Sequence, residues 1–169
     1  MITRSAAWGI CTALMMTLSV LTAASPDGYY KSVDSKQGFT TSIIAVYTYD
    51  QMVYGRIIVA FDEKDGTYIE SYQSPVSSIS IGNKRHFLVE IDLFFGLKKN
   101  GSRYTGGKVV DVKNGNIYGA QIWRESGDLI LRGMLGPFGM KYRFCKAVEK
   151  DFPPFVRIPR LDSFVPYTL

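Results

Sequence analysis

The sequence offers few side chains that could catalyse a reaction or hold a metal ion. His86 is the only histidine among the 169 residues, so a histidine metal cluster or a Ser-His-Asp system would depend on it alone. The turn-forming pair Gly82-Asn83 and the charges of Lys84 and Arg85 precede it, and they predict an exposed loop with an ordinary surface histidine. We therefore expect a non-enzymatic protein without a catalytic residue, a metal site or a cofactor.

A run of charged residues is the second candidate for chemistry. Asp62-Glu63-Lys64-Asp65-Gly66 has the composition of a calcium loop, but Lys64 and Gly66 occupy positions at which such a loop places oxygen ligands. The run therefore predicts a solvated hairpin turn rather than a cation site.

Asp111 and Arg132 are the third candidate, because they fall on predicted meander strands that are neighbours or nearly so. A charge that faces a protein interior is costly unless it is paired. Two hypotheses stay open at this point. The two side chains form a structural ion pair, or Arg132 binds the carboxylate of a ligand.

The first 24 residues have the three parts of a secretory signal peptide. Arg4 gives the positive start, residues 6–24 are apolar or small, and the small residues before Ser25 suit cleavage after Ala24. A retained membrane anchor is the alternative, but polar and small residues interrupt the run before it reaches the about 20 apolar residues of a spanning helix. We expect a periplasmic or otherwise exported protein.

Composition and charge bound the remaining function classes. The formal net charge of +5 is spread along the chain without the dense basic stripe of a nucleic-acid-binding module, so no nucleic-acid partner is expected. After the signal peptide, no stretch is long and apolar enough for an integral helical span. Cys11 leaves with the signal peptide and Cys145 then stands alone, so we expect stability from a hydrophobic core rather than from a disulfide.

Residues 25–150 consist of short segments in which apolar and polar residues alternate with a period of two, as in half-buried strands. Eleven tyrosines and ten phenylalanines favour the same structure. Asp50-Gln51 and Lys113-Asn114-Gly115-Asn116 are predicted hairpin turns, and Gly106-Gly107 predicts a bulge or bend. The predicted strands cover residues 28–33, 40–49, 52–61, 87–95, 104–112, 117–124, 129–135 and 140–145.

This pattern predicts an all-β fold with eight strands, or nine with an extra strand between Thr67 and Ile81. Many short hairpin-linked strands are typical of a sandwich or a single antiparallel meander barrel. Residues 71–83 are rich in serine and predict an irregular excursion, and Gly136-Pro137-Phe138-Gly139 predicts a turn.

Residues 151–169 form a C-terminal extension of different composition. Four prolines prevent both a helix and a central strand, yet the segment is too apolar for a disordered linker. We expect an irregular tail that packs along the domain, or alternatively one that reaches an envelope protein as partner.

A series of short motifs follows the predicted strands in order. They are Gly28-Tyr29-Tyr30, Gly96-Leu97, Tyr104-Thr105-Gly106-Gly107, Lys108-Val109-Val110-Asp111, Gly115, Tyr118, Leu129-Ile130-Leu131-Arg132-Gly133 and Phe144-Cys145-Lys146. From Gly28 to Val148 the chain thus resembles a bacterial exported family of unknown function with a lipocalin-like barrel. Tyr30, Tyr104 and Phe144 stand where that family carries tryptophan. The resemblance implies a barrel and an exported location, but no activity.

A barrel of about eight strands is wide enough to hold one small ligand in a mostly apolar pocket. We therefore expect a periplasmic protein that binds a small hydrophobic or amphipathic ligand, such as a lipid or a fatty acid. The residues predicted to line the barrel interior are Tyr47, Tyr54, Tyr118, Trp123, Arg132, Met134 and Tyr142.

Two other function classes remain. If the aromatic side chains simply fill the barrel, the protein is a non-enzymatic envelope scaffold or an interaction module that uses residues 151–169. An outer-membrane barrel is disfavoured, because charges such as Glu90, Asp92 and Arg132 interrupt the outward apolar band that spanning strands need.

Overall fold

The computed structural model describes residues 25–135 and 138–167. The predicted signal peptide and the centre of the predicted turn at 136–137 lie outside the described residues. The strands are β1 Gly28–Val33, β2 Thr40–Tyr49, β3 Met52–Phe61, β4 Tyr68–Ser71, β5 Ser78–Ile81, β6 Lys84–Phe87, β7 Asp92–Asn100, β8 Arg103–Val110, β9 Ile117–Glu125, β10 Asp128–Leu135 and β11 Phe138–Lys146.

Antiparallel pairing closes eight of these strands into a barrel. The order in the nine-stranded sheet is β2-β1-β11-β10-β9-β8-β7-β3-β4, and β2 also pairs with β3, which completes the ring. The predicted all-β meander barrel of eight to nine strands is confirmed, with β4 as the extra strand beside β3. Closure pairs the strand edges that an open sheet would leave exposed.

The predicted strand at 87–95 is wrong as a single element. The Glu90 amide donates to the carbonyl of Phe87, so a turn separates β6 from β7. Apolar and polar residues alternate through this segment because the apolar residues at the turn are also buried. Val89 enters the barrel interior, and Ile91 packs outside it. The excursion at 71–83, predicted as irregular, contains β5 and the turn that leads into its hairpin partner β6.

The barrel interior is filled with apolar side chains. All eight ring strands contribute to one buried cluster, and Val89 closes it at the lower end, the end away from the β2–β3, β7–β8 and β9–β10 turns. Gly55 makes room for the ring of Phe94, since a Cβ at Gly55 would lie 2.2 Å from the Phe94 Cζ. The predicted irregularity at Gly106-Gly107 is confirmed, because the β8–β9 register shifts between Tyr104 and Gly107.

The same Asp-x-Lys-x-Gly turn occurs three times at the lower end. In each turn the aspartate carboxylate accepts the amide N–H of the lysine two residues on, at 2.7–2.9 Å. The glycine of each turn has φ between 74° and 79°, which suits a residue without a Cβ. The turns begin at Asp34, Asp62 and Asp111. The run at Asp62 is thus the predicted hairpin turn, and Asp111 stabilises its own turn, with no ion pair to Arg132.

Residues 151–167, here called the strap, pack on the outer face of the barrel, as their apolar composition predicted. Phe152, Val156 and Phe164 cover Ile43 and Ala45, which point away from the interior. Lys31 and Asp151 form an ion pair of 2.6 Å at the start of the strap. The strap therefore completes the burial of one outer side of the barrel, over β1, β2 and β3.

Candidate ligand site

An open cleft of about 290 Å³ lies at the upper end of the barrel. Three upper segments form it: the N-terminal residues before β1, the β7–β8 turn and the β9–β10 hairpin. Its lining residues are Pro26, Ser102, Tyr104, Trp123, Arg124, Ser126 and Gly127. The cleft thus combines two aromatic rings, three hydroxyl groups (those of two serines and Tyr104) and one cationic side chain, a mixture that suits an amphipathic ligand.

Two tyrosines separate this cleft from the apolar interior. Tyr104 is 9% exposed and lines the cleft, and Tyr30 is 1% exposed and donates a hydrogen bond of 2.8 Å to the carbonyl of Pro26. Burial raises the pKa of both phenols, and the nearby Asp27 carboxylate raises it further. Both hydroxyls therefore stay protonated at neutral pH.

Arg124 supplies the positive charge of the site. Because neighbouring residues of a strand point to opposite faces and Ile122 is buried inside, Arg124 lies on the inner side of β9 where the barrel opens. Its charge lowers the pKa of Tyr30, although the larger effect of burial raises it. Among the described residues, Arg124 has no ion-pair partner within 4.0 Å. Its charge is therefore free for an anionic ligand.

Sequence reasoning missed Tyr30, Tyr104 and Arg124 as site residues. The signal for the two tyrosines was present, since both stand at positions where the resembled family carries tryptophan. Arg124 carried no comparable signal, because one cation at a strand end is typical of an ordinary solvent-exposed position.

Tyr47 and Tyr54 do not line the interior as predicted. They lie on the outer face, where Tyr47 stacks between Tyr54 and Phe164 of the strap at centroid distances of 5.5 and 5.0 Å. Tyr47 also donates a hydrogen bond of 2.8 Å to Asp92, which is fully buried and paired with Arg56. Burial and the Asp92 carboxylate raise the pKa of Tyr47 strongly. This cluster holds the strap.

The other predicted interior residues divide between the two faces. Tyr118 packs against the interior cluster, and Tyr142 is 47% exposed opposite the buried Leu131. Trp123, Arg132 and Met134 lie on the outer face of their strands, because each alternates with an inward residue. Of these three, Trp123 also lines the cleft at the upper end. Period-two alternation does not indicate which face is inside, which is why five of the seven were misplaced. Their role in binding a ligand stays a prediction.

His86 is not the surface histidine that was predicted. It is 8% exposed, and its Nδ1 lies 3.0 Å from the hydroxyl of Tyr167 in the strap. No sequence pattern indicated this contact, because Tyr167 follows 81 residues later in an irregular segment.

The closed meander with a cleft at one end defines the molecule as a lipocalin-like β-barrel. It is similar to a solved structure described as "Protein HP1028 from the human pathogen Helicobacter pylori belongs to the lipocalin family", with a TM-score of 0.53 and 12% identity over 74% of this chain and 84% of that one. The family described as "Uncharacterized protein conserved in bacteria (DUF2147)" matches residues 28–146. The chain belongs to this family, and the resemblance seen in the motifs is confirmed. No curated protein matches the chain. Within the described residues, no helix has the length and hydropathy to cross a membrane.

Proposed function

We propose that the protein binds a small amphiphile with an anionic group at the upper end of its barrel, outside the cytoplasm and without catalysing a reaction. The observation that carries this proposal is the open cleft lined by both Tyr104 and Arg124, since Arg124 has no ion-pair partner among the described residues. A guanidinium binds carboxylate or phosphate with charge-assisted hydrogen bonds, and the aromatic rings contact an apolar group.

The packed interior restricts the size of the ligand. Phe94, Leu97 and Ile122 are fully buried within the cluster that fills the barrel. An eight-stranded barrel is either filled by its own side chains or left with space for one small ligand. A ligand here therefore stays at the barrel mouth, and a short acyl chain or a lipid headgroup fits the cleft volume better than a long fatty acid.

Export is part of the proposal and rests on the signal-peptide pattern of residues 1–24. Fractionation of cells that produce the full chain tests it: we expect a shortened protein outside the cytoplasm. A full-length protein that stays in the cytoplasm would contradict export but not ligand binding.

Native mass spectrometry of the processed protein, purified gently from its own envelope, is the first test of binding. We expect a co-purifying small acidic mass that is lost from an Arg124→Gln variant and kept by Arg157→Gln, whose side chain is exposed on the strap. Protein that carries no small mass, and binds none from a total membrane extract, would refute the proposal.

The filled interior also supports a second function, that of a non-enzymatic scaffold that contacts an envelope protein through residues 151–169. Phe155 and Val165 of the strap are 67% and 62% exposed. Cross-linking in intact envelopes tests this alternative. One defined adduct that disappears in Phe155→Ser and persists in Arg124→Gln would favour the scaffold.

A further inference from the structure

The outer faces of the barrel differ from one side to the other. Over β1, β2 and β3 the strap covers an apolar surface. Over β8 to β11, the outward-facing side chains carry mainly positive charge. These are the residues that alternate along each strand with the members of the interior cluster. We call this second surface the basic face, and it consists of Arg103, Lys108, Trp123, Arg132 and Lys141.

Trp123 lies at the centre of the basic face between two cations. The Arg103 guanidinium lies 4.6 Å from the centroid of its ring, and the Lys141 ammonium lies 5.6 Å from it. Cross-strand pairing places Arg132 directly beside Lys141, so like charges stand next to each other on adjacent strands. Such an arrangement is unfavourable in an isolated protein and becomes favourable when an anionic partner is bound.

One carboxylate reaches the basic face, since the Trp123 Nε1–H donates a hydrogen bond of 3.2 Å to Glu125. In the part of the chain that the structure describes, none of Arg103, Lys108, Arg132 and Lys141 has a carboxylate within 4.0 Å. The nearby carboxylates of Glu125 and Asp128 instead pair with Arg143 at the upper end of the strands.

One exposed apolar side chain adjoins the basic face at its lower end. Met134 is 39% exposed, and the strand pairing places it on the same face as Lys108, with Gly119 between them. A shallow cleft of about 180 Å³, lined by Glu125, Ile130, Lys141, Tyr142 and Arg143, opens towards the upper end. Basic residues around tryptophan with a flexible apolar side chain at the border are the composition of surfaces that lie in a membrane interface.

We propose that the basic face docks the protein on an anionic lipid bilayer. A broad strand surface with dispersed cations matches a plane of lipid headgroups, whereas a nucleic acid or an acidic peptide would be favoured by a groove or a single stacking platform. The basic face shares Trp123 with the proposed ligand cleft, but the two can be tested separately, because Arg132, Lys141 and Lys108 do not line that cleft.

Sedimentation with vesicles tests this docking. The processed protein is mixed with vesicles of phosphatidylcholine alone or with phosphatidylglycerol added, at low and high salt. We expect binding only to the anionic vesicles, weakened by salt because exposed charges are screened. The double variant Arg132→Glu/Lys141→Glu should bind at least about tenfold more weakly, since two attractive charges become repulsive.

A matched variant separates the basic face from total charge. Lys36→Glu/Lys64→Glu makes the same charge change in two turns at the lower end and should bind anionic vesicles nearly as well as the unchanged protein. Equal weakening of both variants, or equal binding to neutral vesicles, would overturn the proposal. So would binding to a soluble polyanion such as heparin without binding to vesicles. Thermal melting of each variant shows that it is folded.

Discussion

The carboxylate of Asp92 joins the strap to the barrel: its Oδ2 accepts the backbone N–H of Tyr167 at 2.8 Å. Its Oδ1 accepts hydrogen bonds from the Tyr47 hydroxyl at 2.8 Å and the Arg56 Nε at 3.0 Å. Arg56 in turn donates to the carbonyl of Val165 at 2.9 Å. A fully buried carboxylate thus has its charge paired and both oxygens bonded. One of its own bonds and one bond of its partner Arg56 reach the strap.

Replacement of Asp92 by alanine should release the end of the strap. The change leaves Arg56 without its ion-pair partner in a largely buried position, which costs about 3 kcal/mol of unfolding free energy. Urea denaturation measures the loss, and limited proteolysis should cut the strap faster than in the unchanged protein. Asp162→Ala, an exposed carboxylate on the strap, is the control and should change neither measurement. Equal behaviour of the two variants would contradict the role of Asp92.

Alkaline pH should destabilise the protein through its buried phenols. Burial raises the pKa of Tyr47, and the Asp92 carboxylate raises it further, so the folded state keeps a proton that the unfolded chain releases. The stabilisation is therefore complete below the unfolded pKa of about 10 and is lost as the pH rises above it. The unfolding free energy, measured from about pH 8 to about pH 11, should fall less steeply in Tyr47→Phe than in the unchanged protein. An unchanged slope would show that Tyr47 does not dominate this effect.

Acidic pH should loosen the start of the strap. Burial acts to raise the pKa of Asp151, but the hydrogen bond from Lys31 and the bond from the Val148 amide outweigh it and lower the pKa below its ordinary value. A carboxyl with a lowered folded pKa stabilises the fold above its unfolded pKa of about 4, and the contribution is lost as the pH falls through the folded pKa.

Asp151→Asn tests this effect of acid. At pH 7 the variant should be about 1 kcal/mol less stable than the unchanged protein, and in acid the two proteins should differ less. Thermal melting at both pH values measures the difference. A stability gap that stays constant with pH would argue against ionisation of Asp151 as the cause.

The sequence predicted the barrel well because alternation and turn chemistry are local properties. The turns at Asp50-Gln51 and at Asp111 follow from residues that are neighbours in the chain. The strap contacts are long-range, so Tyr47 and His86 could not be assigned to Phe164 and Tyr167 before the fold was known. Alternation also left the inner and outer faces undetermined, and the site at the upper end depends on that choice.

Gly55 should tolerate no side chain while Phe94 occupies the interior. A Cβ at Gly55 would lie 2.2 Å from Phe94 Cζ and 2.5 Å from its Cε1, and the ring is fully buried, so it has little freedom to move away. Overpacking of this kind costs about 1–3 kcal/mol, and we expect Gly55→Ala near the upper limit. Urea denaturation of the single variants and of Gly55→Ala/Phe94→Leu gives the coupling between the two positions. The second change should recover part of the loss caused by the first.

Gly133→Ala is the matched control, because a Cβ there meets Val109 at an ordinary 3.4 Å on the same interior surface. If Gly133→Ala proved as damaging as Gly55→Ala, general intolerance of the interior glycines, rather than the Phe94 ring, would explain the effect.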